Sequence, residues 1–155
     1  MQIPAKILKF LDSKKIKYVV INHRTVYTAY DKATTLKVKP NVIGKTLVLK
    51  IDSNLIMVLV PGNKNLDLSK IKKAVGVQKI NIVSETIIKN KFKGIKIGAI
   101  PPAAEIWKLR IFIDNNLMKE KNIFVNSGIY EASFKLSPKV FEKLGAVVGN
   151  FGKPR

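Results

Sequence analysis

Two apolar stretches, residues 43–51 and 55–60, flank the polar triplet Asp52-Ser53-Asn54, and an antiparallel hairpin is the arrangement that order favours. Both stretches are rich in Ile, Leu and Val, which fit a pleated, half-buried surface, and the triplet supplies the turn. Pro61-Gly62 ends the second strand. Near the start of the first, Gly44-Lys45-Thr46 sets a lysine into the apolar run. An ammonium on a strand either stands in solvent or lines a cleft where an anion offsets its desolvation. For an isolated lysine the solvent-facing fate is the commoner one.

The rest of the chain mixes helices with strands. Pro4 opens a helix whose Ile7, Leu8 and Leu11 share a face, and residues 17–22 read as a strand. Thr28, with Asp31 three residues on, caps a helix running to about Leu36. Asp67 caps another that carries Leu68, Ile71 and Val75 and stops at Gly76, and Ser84 caps a third. Residues 110–114, 122–125 and 129–136 read as later strands, Ser137-Pro138 starts a last helix closed by Gly145, and residues 149–155 read as a frayed tail. No regular βαβ rhythm is present. The expected class is α+β, a mixed and mostly antiparallel sheet with surrounding helices, in a single domain over residues 1–155.

Composition narrows the chemistry. The chain has no cysteine and one histidine, His23, so thiolate metal sites, a cysteine nucleophile and a histidine cluster are excluded, and neither metal nor cofactor is expected. The first twenty residues interrupt their apolar positions with lysines and Asp12, unlike a signal peptide, and the run from Leu55 to Val60 is too short to span a bilayer. The expected location is the cytoplasm, with no membrane partner. Lysine and arginine number 29 against 10 acids, a net charge of +19 that favours a polyanion such as nucleic acid. All but three of the 29 are lysine, a bias that genome composition also produces, and the scarcity of arginine argues against reading duplex sequence.

Gly44-Lys45-Thr46 lacks the upstream glycine of a phosphate-binding loop, since position 39 is Lys39, and strand residues follow it. A second feature is Gly98-Ala99-Ile100-Pro101-Pro102. Its prolines carry no N–H and Gly98 no Cβ, so the amides of Gly98, Ala99 and Ile100 are the donors such a loop can offer an oxyanion. A cation and an amide-lined loop suit a phosphate or an ester carbonyl.

His23, Thr28-Ala29, Gly44-Lys45-Thr46-Leu47, Val58-Leu59-Val60-Pro61-Gly62, Leu66-Asp67-Leu68, Gly98 to Pro102, Asp114 and Ser127-Gly128 follow one another in a characteristic order and spacing. In this the chain resembles the YbaK/prolyl-tRNA synthetase-associated editing domains over nearly its whole length. The resemblance implies a mixed sheet around a pocket for the 3′ end of a mischarged tRNA, and hydrolysis of the aminoacyl ester by a free-standing, trans-acting protein. Carried over by residue, Lys45 matches the family's functional lysine and Gly98 with Pro102 its Gly-x-x-x-Pro loop. Lys45 and Gly98 are then the catalytic candidates. Ala99, Ile100, Pro101, Pro102, Thr28, Asn126 and Gly128 are the substrate-binding candidates.

Each has a structural alternative. Thr28 is a helix cap first, Gly98 to Pro102 can be a rigid turn, Gly128 can serve backbone geometry, Asp114 can be a turn former, and His23 stays outside the catalytic set. The chain also departs from the family: it has Asn126-Ser127-Gly128 where some members have serine before Ala-Gly, Ser133 where a subgroup has an acid, and Ala103-Ala104-Glu105 in place of an aromatic-glycine pair. These positions bear on substrate choice among small amino acids such as Ala, Cys, Ser and Thr, on tRNA(Pro) or a related tRNA. The expected partners are aminoacyl-tRNA and an aminoacyl-tRNA synthetase. The alternative reading is a non-catalytic basic module that holds tRNA or another RNA beside such a synthetase, and a third is a small-molecule pocket protein.

Overall fold

In the computed structural model, which describes residues 2–155, helix α1 (Ala5–Ser13) follows Pro4 and buries Ile7 and Leu11, one turn apart. Strand β1 is Tyr18–Asn22. Helix α2 (Ala29–Leu36) is capped as expected: Thr28 Oγ1 accepts the Asp31 N–H at 3.0 Å. The hairpin is β2 (Gly44–Ile51) against β3 (Asn54–Pro61), with Gly44 opposite Pro61 and Ile51 opposite Asn54, so the turn is Asp52 and Ser53 alone.

A short β4 (Lys64–Leu66), unforeseen in the sequence, precedes α3 (Leu68–Val75), which Asp67 caps and Gly76 stops in a left-handed conformation. β5 (Asn81–Ile82), also unforeseen, leads to α4 (Glu85–Lys91) with Ser84 at its cap. Then come β6 (Arg110–Asp114), α5 (Asn115–Met118), β7 (Ile123–Asn126), β8 (Ala132–Leu136), the one-turn α6 (Val140–Lys143), β9 (Val147–Gly149) and β10 (Gly152–Pro154). β8 starts three residues later than the apolar pattern predicts, because residues 128–131 turn the chain back toward the 96–100 loop.

The largest sheet runs β5-β2-β3-β6-β9, with β3, β6 and β9 parallel to one another and the other pairings antiparallel. β1-β8-β7 form a second, antiparallel sheet and β4-β10 a two-stranded ribbon. This is the mixed, mostly antiparallel architecture with flanking helices that the sequence predicts. β3 is its spine. Met57 and Leu59 face a core shared with α1, β6, β7 and β8, while Ile56, Val58 and Val60 face a second one shared with α3 and Phe151. A parallel bridge between Ile43 and Phe124 joins the two larger sheets. Gly44 permits that approach, since a Cβ there would lie 3.1 Å from Val125 Cγ1.

The tail is not frayed. Asp114, 0% exposed at the end of β6, accepts the Phe151 and Gly152 amides on Oδ2 at 2.9 and 2.8 Å and the Asn116 amide on Oδ1 at 2.8 Å. Phe151 is 2% exposed, with its ring edge-on to Phe112. A buried carboxylate needs such donors, and a buried phenyl ring removes apolar area from water, so the chain after β9 is fixed and continues as β10. Asp114→Asn replaces one acceptor oxygen with an NH2 group facing backbone N–H donors. It should lower the unfolding free energy by about 2–4 kcal/mol, read from urea denaturation.

Candidate active site

A cavity of about 430 Å³ lies where the two larger sheets meet. Its walls come from α2 and the residues before it, the first residues of β2, Asn126 at the end of β7, Gly98 and Ala99 of the loop, and Arg155. Because β2 begins at Gly44, Lys45 enters at the strand's mouth. Five of the nine sequence candidates line the cavity together: Thr28, Lys45, Gly98, Ala99 and Asn126. Ile100, Pro101 and Pro102 lie behind the loop in the protein interior, the two prolines against residues of α1 and α6. Gly128 supports the loop from the other side.

Lys45 is half-buried and donates to the Lys64 carbonyl at 2.9 Å. Burial first, and then the charge of Arg155, lower its pKa. Arg155 donates to the Gly62 carbonyl at 3.3 Å, and its guanidinium lies 4.5 Å from the centre of the Tyr30 ring. The partners of both cations are thus carbonyls or an aromatic face. Gly62 sits where only glycine fits, since a Cβ would come within 2.9 Å of the Pro40 carbonyl oxygen. Among the described residues no carboxylate side chain pairs with either cation, and such a pair can accept an anion, with the planar guanidinium of Arg155 suited to a phosphate.

The loop opposite is braced by the segment after β7. Lys96 donates to the Gly128 carbonyl at 2.9 Å, Gly128 to the Ala99 carbonyl at 2.8 Å, and Tyr130 Oη to the Ile97 carbonyl at 2.6 Å. Gly98 has φ +83°, a conformation that favours glycine, and its N–H is not used in a hydrogen bond among the described residues. The Ala99 amide differs from expectation, because it closes the turn onto the Lys96 carbonyl at 3.0 Å. Asp114 anchors the tail, and His23 bridges the Arg24 carbonyl and Ser133 Oγ at 2.7 and 2.9 Å, which gives both residues structural work. No group of three His, Cys, Asp or Glu among the described residues could hold a metal.

Sequence reasoning missed two residues of the site. Arg155 belongs to the supposed frayed tail. Lys32, on the inner face of α2, lines the cavity at 6% exposure, donates to Asn126 Oδ1 at 2.8 Å, and has no carboxylate ion-pair or hydrogen-bond partner among the described residues. Asn126 Nδ2 in turn donates to the Ile100 and Gly98 carbonyls at 3.2 and 3.4 Å. The one signal for Lys32 was its place beside Ala33 on the face that α2 must bury, in a helix with few apolar residues to fill it.

Residues 23–144 match the aminoacyl-tRNA editing domain, and the chain belongs to that family. It is 34% identical over 102 residues to the proline–tRNA ligase of Staphylococcus saprophyticus, a match covering 66% of this chain and 18% of the ligase. The chain therefore spans under a fifth of the synthetase's length. Over 146 residues, 90% of this chain and 88% of its relative, it is 27% identical to the prolyl-tRNA editing protein ProX of Acetoanaerobium sticklandii. The fold is shared with the solved structure of a hypothetical protein, APE2540, at TM-score 0.87 and 22% identity, covering 96% of this chain and 99% of that one.

Burial lowers the Lys32 pKa to about 8. The unfolded chain keeps that proton to about 10.5, so the charged side chain opposes folding in full below pH 8. The penalty fades as pH rises from 8 toward 10.5, where the folded protein is already neutral at this position and the unfolded chain is losing its proton. Lys32→Met should therefore stabilise the fold by about 1–2 kcal/mol at neutral pH. Urea denaturation across this range should show the advantage shrinking as the solution becomes more alkaline.

Proposed function

We propose that this protein is a trans-acting aminoacyl-tRNA deacylase that removes a small, wrongly attached amino acid from tRNA(Pro) or a related tRNA, as one editing domain. The observation that carries the reading is the pairing, across one cavity, of Lys45 with the Gly98 turn. Membership of the editing-domain family and the likeness to ProX support it. A charged-tRNA substrate also fits the cytoplasmic location expected from the sequence and the net charge of +19. No helix among the described residues is long and apolar enough to cross a membrane.

In this reading Lys45 and Arg155 hold a phosphate or ribose oxygen of the terminal nucleotides, and the exposed rings of Tyr27 and Tyr30 offer faces for unstacked bases. The Gly98 N–H meets the ester carbonyl and stabilises the charge that develops on it. Water adds to the carbonyl carbon and the tetrahedral intermediate expels the ribose oxygen, releasing amino acid and tRNA. An ester is already activated, so orientation and one oxyanion donor supply much of the acceleration without a side-chain nucleophile. Thr28, whose Oγ1 holds the α2 cap, shapes the wall beside the acyl group, and Asn126 and Gly128 keep the loop in place. Ile100, Pro101 and Pro102 act from behind by fixing its course.

Single-turnover deacylation of tRNA(Pro) carrying Ala, Cys, Ser or Thr tests the proposal. Lys45→Ala should slow hydrolysis by about a hundredfold or more. It removes one of 29 basic charges, so tRNA affinity should fall only modestly and remain steeply salt-dependent. Salt-sensitive binding without hydrolysis of any member would favour the non-catalytic RNA-binding module.

A further inference from the structure

We infer that Lys32 is a specificity-determining residue: its buried ammonium reads an oxygen acceptor on the side chain of the bound aminoacyl group, so that seryl and threonyl esters are favoured over their apolar counterparts. The inference rests on the reading that this cavity receives the aminoacyl end of tRNA.

Val26, Ile43 and Ile129, each at most 5% exposed, give the same cavity an apolar wall. An ammonium has three N–H donors, and Asn126 Oδ1 engages one. Among the described residues nothing else accepts from it, which leaves two donors for an occupant of the cavity.

Asn126 itself has little to offer a ligand, since its oxygen faces Lys32 and its NH2 group faces the Gly98 and Ile100 carbonyls. It holds the ammonium beside the loop that meets the ester, whereas Lys45 and Arg155 are tied to Lys64, Gly62 and Tyr30. This places Lys32 on the acyl side.

A second unsatisfied group lines the same cavity. Thr46 Oγ1 is buried without a hydrogen-bond partner among the described residues. A hydroxyl complements both, accepting from Lys32 and donating to Thr46. A purely alkyl acyl group would displace water from the ammonium and return nothing. Sites built on such buried polar groups reject the analogue that lacks the matching atom far more strongly than apolar pockets reject a missing methylene.

The test uses matched pairs on one tRNA, threonyl against valyl and seryl against alanyl, together with binding of stable 3′-amide-linked seryl- and alanyl-adenosine. The wild-type protein should favour the hydroxyl member by about tenfold or more in rate and in affinity. In Lys32→Met that ratio should fall to within about threefold, and Lys32→Gln, which keeps a neutral donor, should lie between. A wild-type ratio near one, or a preference that survives in both variants, would overturn the inference. If no ester is hydrolysed, the deacylase reading fails, and the amide analogues still decide the role of Lys32. Equal affinity for the two, or none for either, counts against it.

Discussion

The Asp114 carboxylate is the point through which the remote parts of the molecule are held in register. It ends β6, starts α5 by accepting the Asn116 amide, and captures two amides of the tail, three donors for one fully buried acid. The Asp67 amide also donates to the Phe151 carbonyl at 2.8 Å, and Lys70 Nζ reaches the Gly152 carbonyl at 2.9 Å. β10 can then pair with β4, and Arg155 reaches the cavity. One side chain thereby links β6 of the large sheet to a wall of the site more than thirty residues away in sequence.

The electrostatics of the cavity follow from where the acids go. Asp31 pairs with Arg24, Glu105 with Lys14, Asp67 caps α3 and Asp114 binds backbone amides. Among the described cavity walls Lys32, Lys45 and Arg155 are cationic, and no acid lines them. A protein with +19 net charge could carry its excess wholly on a solvated surface; here part of it is desolvated inside a concave site. Lys32 is buried and Lys45 half-buried, while Arg155 is exposed, and under the proposed function an anionic, oxygen-rich ligand would offset the desolvation of the first two.

Local interactions were legible in the sequence. The 43–60 hairpin, the Thr28, Asp67 and Ser84 caps and the Gly76 stop depend on neighbours a few residues apart, and each appears where the residues place it. The gathering of Lys45, Gly98 and Asn126 around one cavity was legible only through the ordered family pattern. What escaped is non-local. β4 and β5 are too short to carry a period, and the tail is fixed by an acid far upstream. Lys32 looks like any solvated helix lysine until the 126–130 segment is folded against it.

The walls of the cavity belong to separate elements. Lys45 sits on β2, Arg155 on the tail, Gly98 and Ala99 on the loop before β6, and the buried Lys32 on α2. On the proposed deacylase reading, substitutions on the inner face of α2 would change the Lys32 wall of the cavity while leaving Lys45 and Gly98 in place. Under that reading, such a division would let a lineage vary its substrates through a single eight-residue helix without touching the other walls.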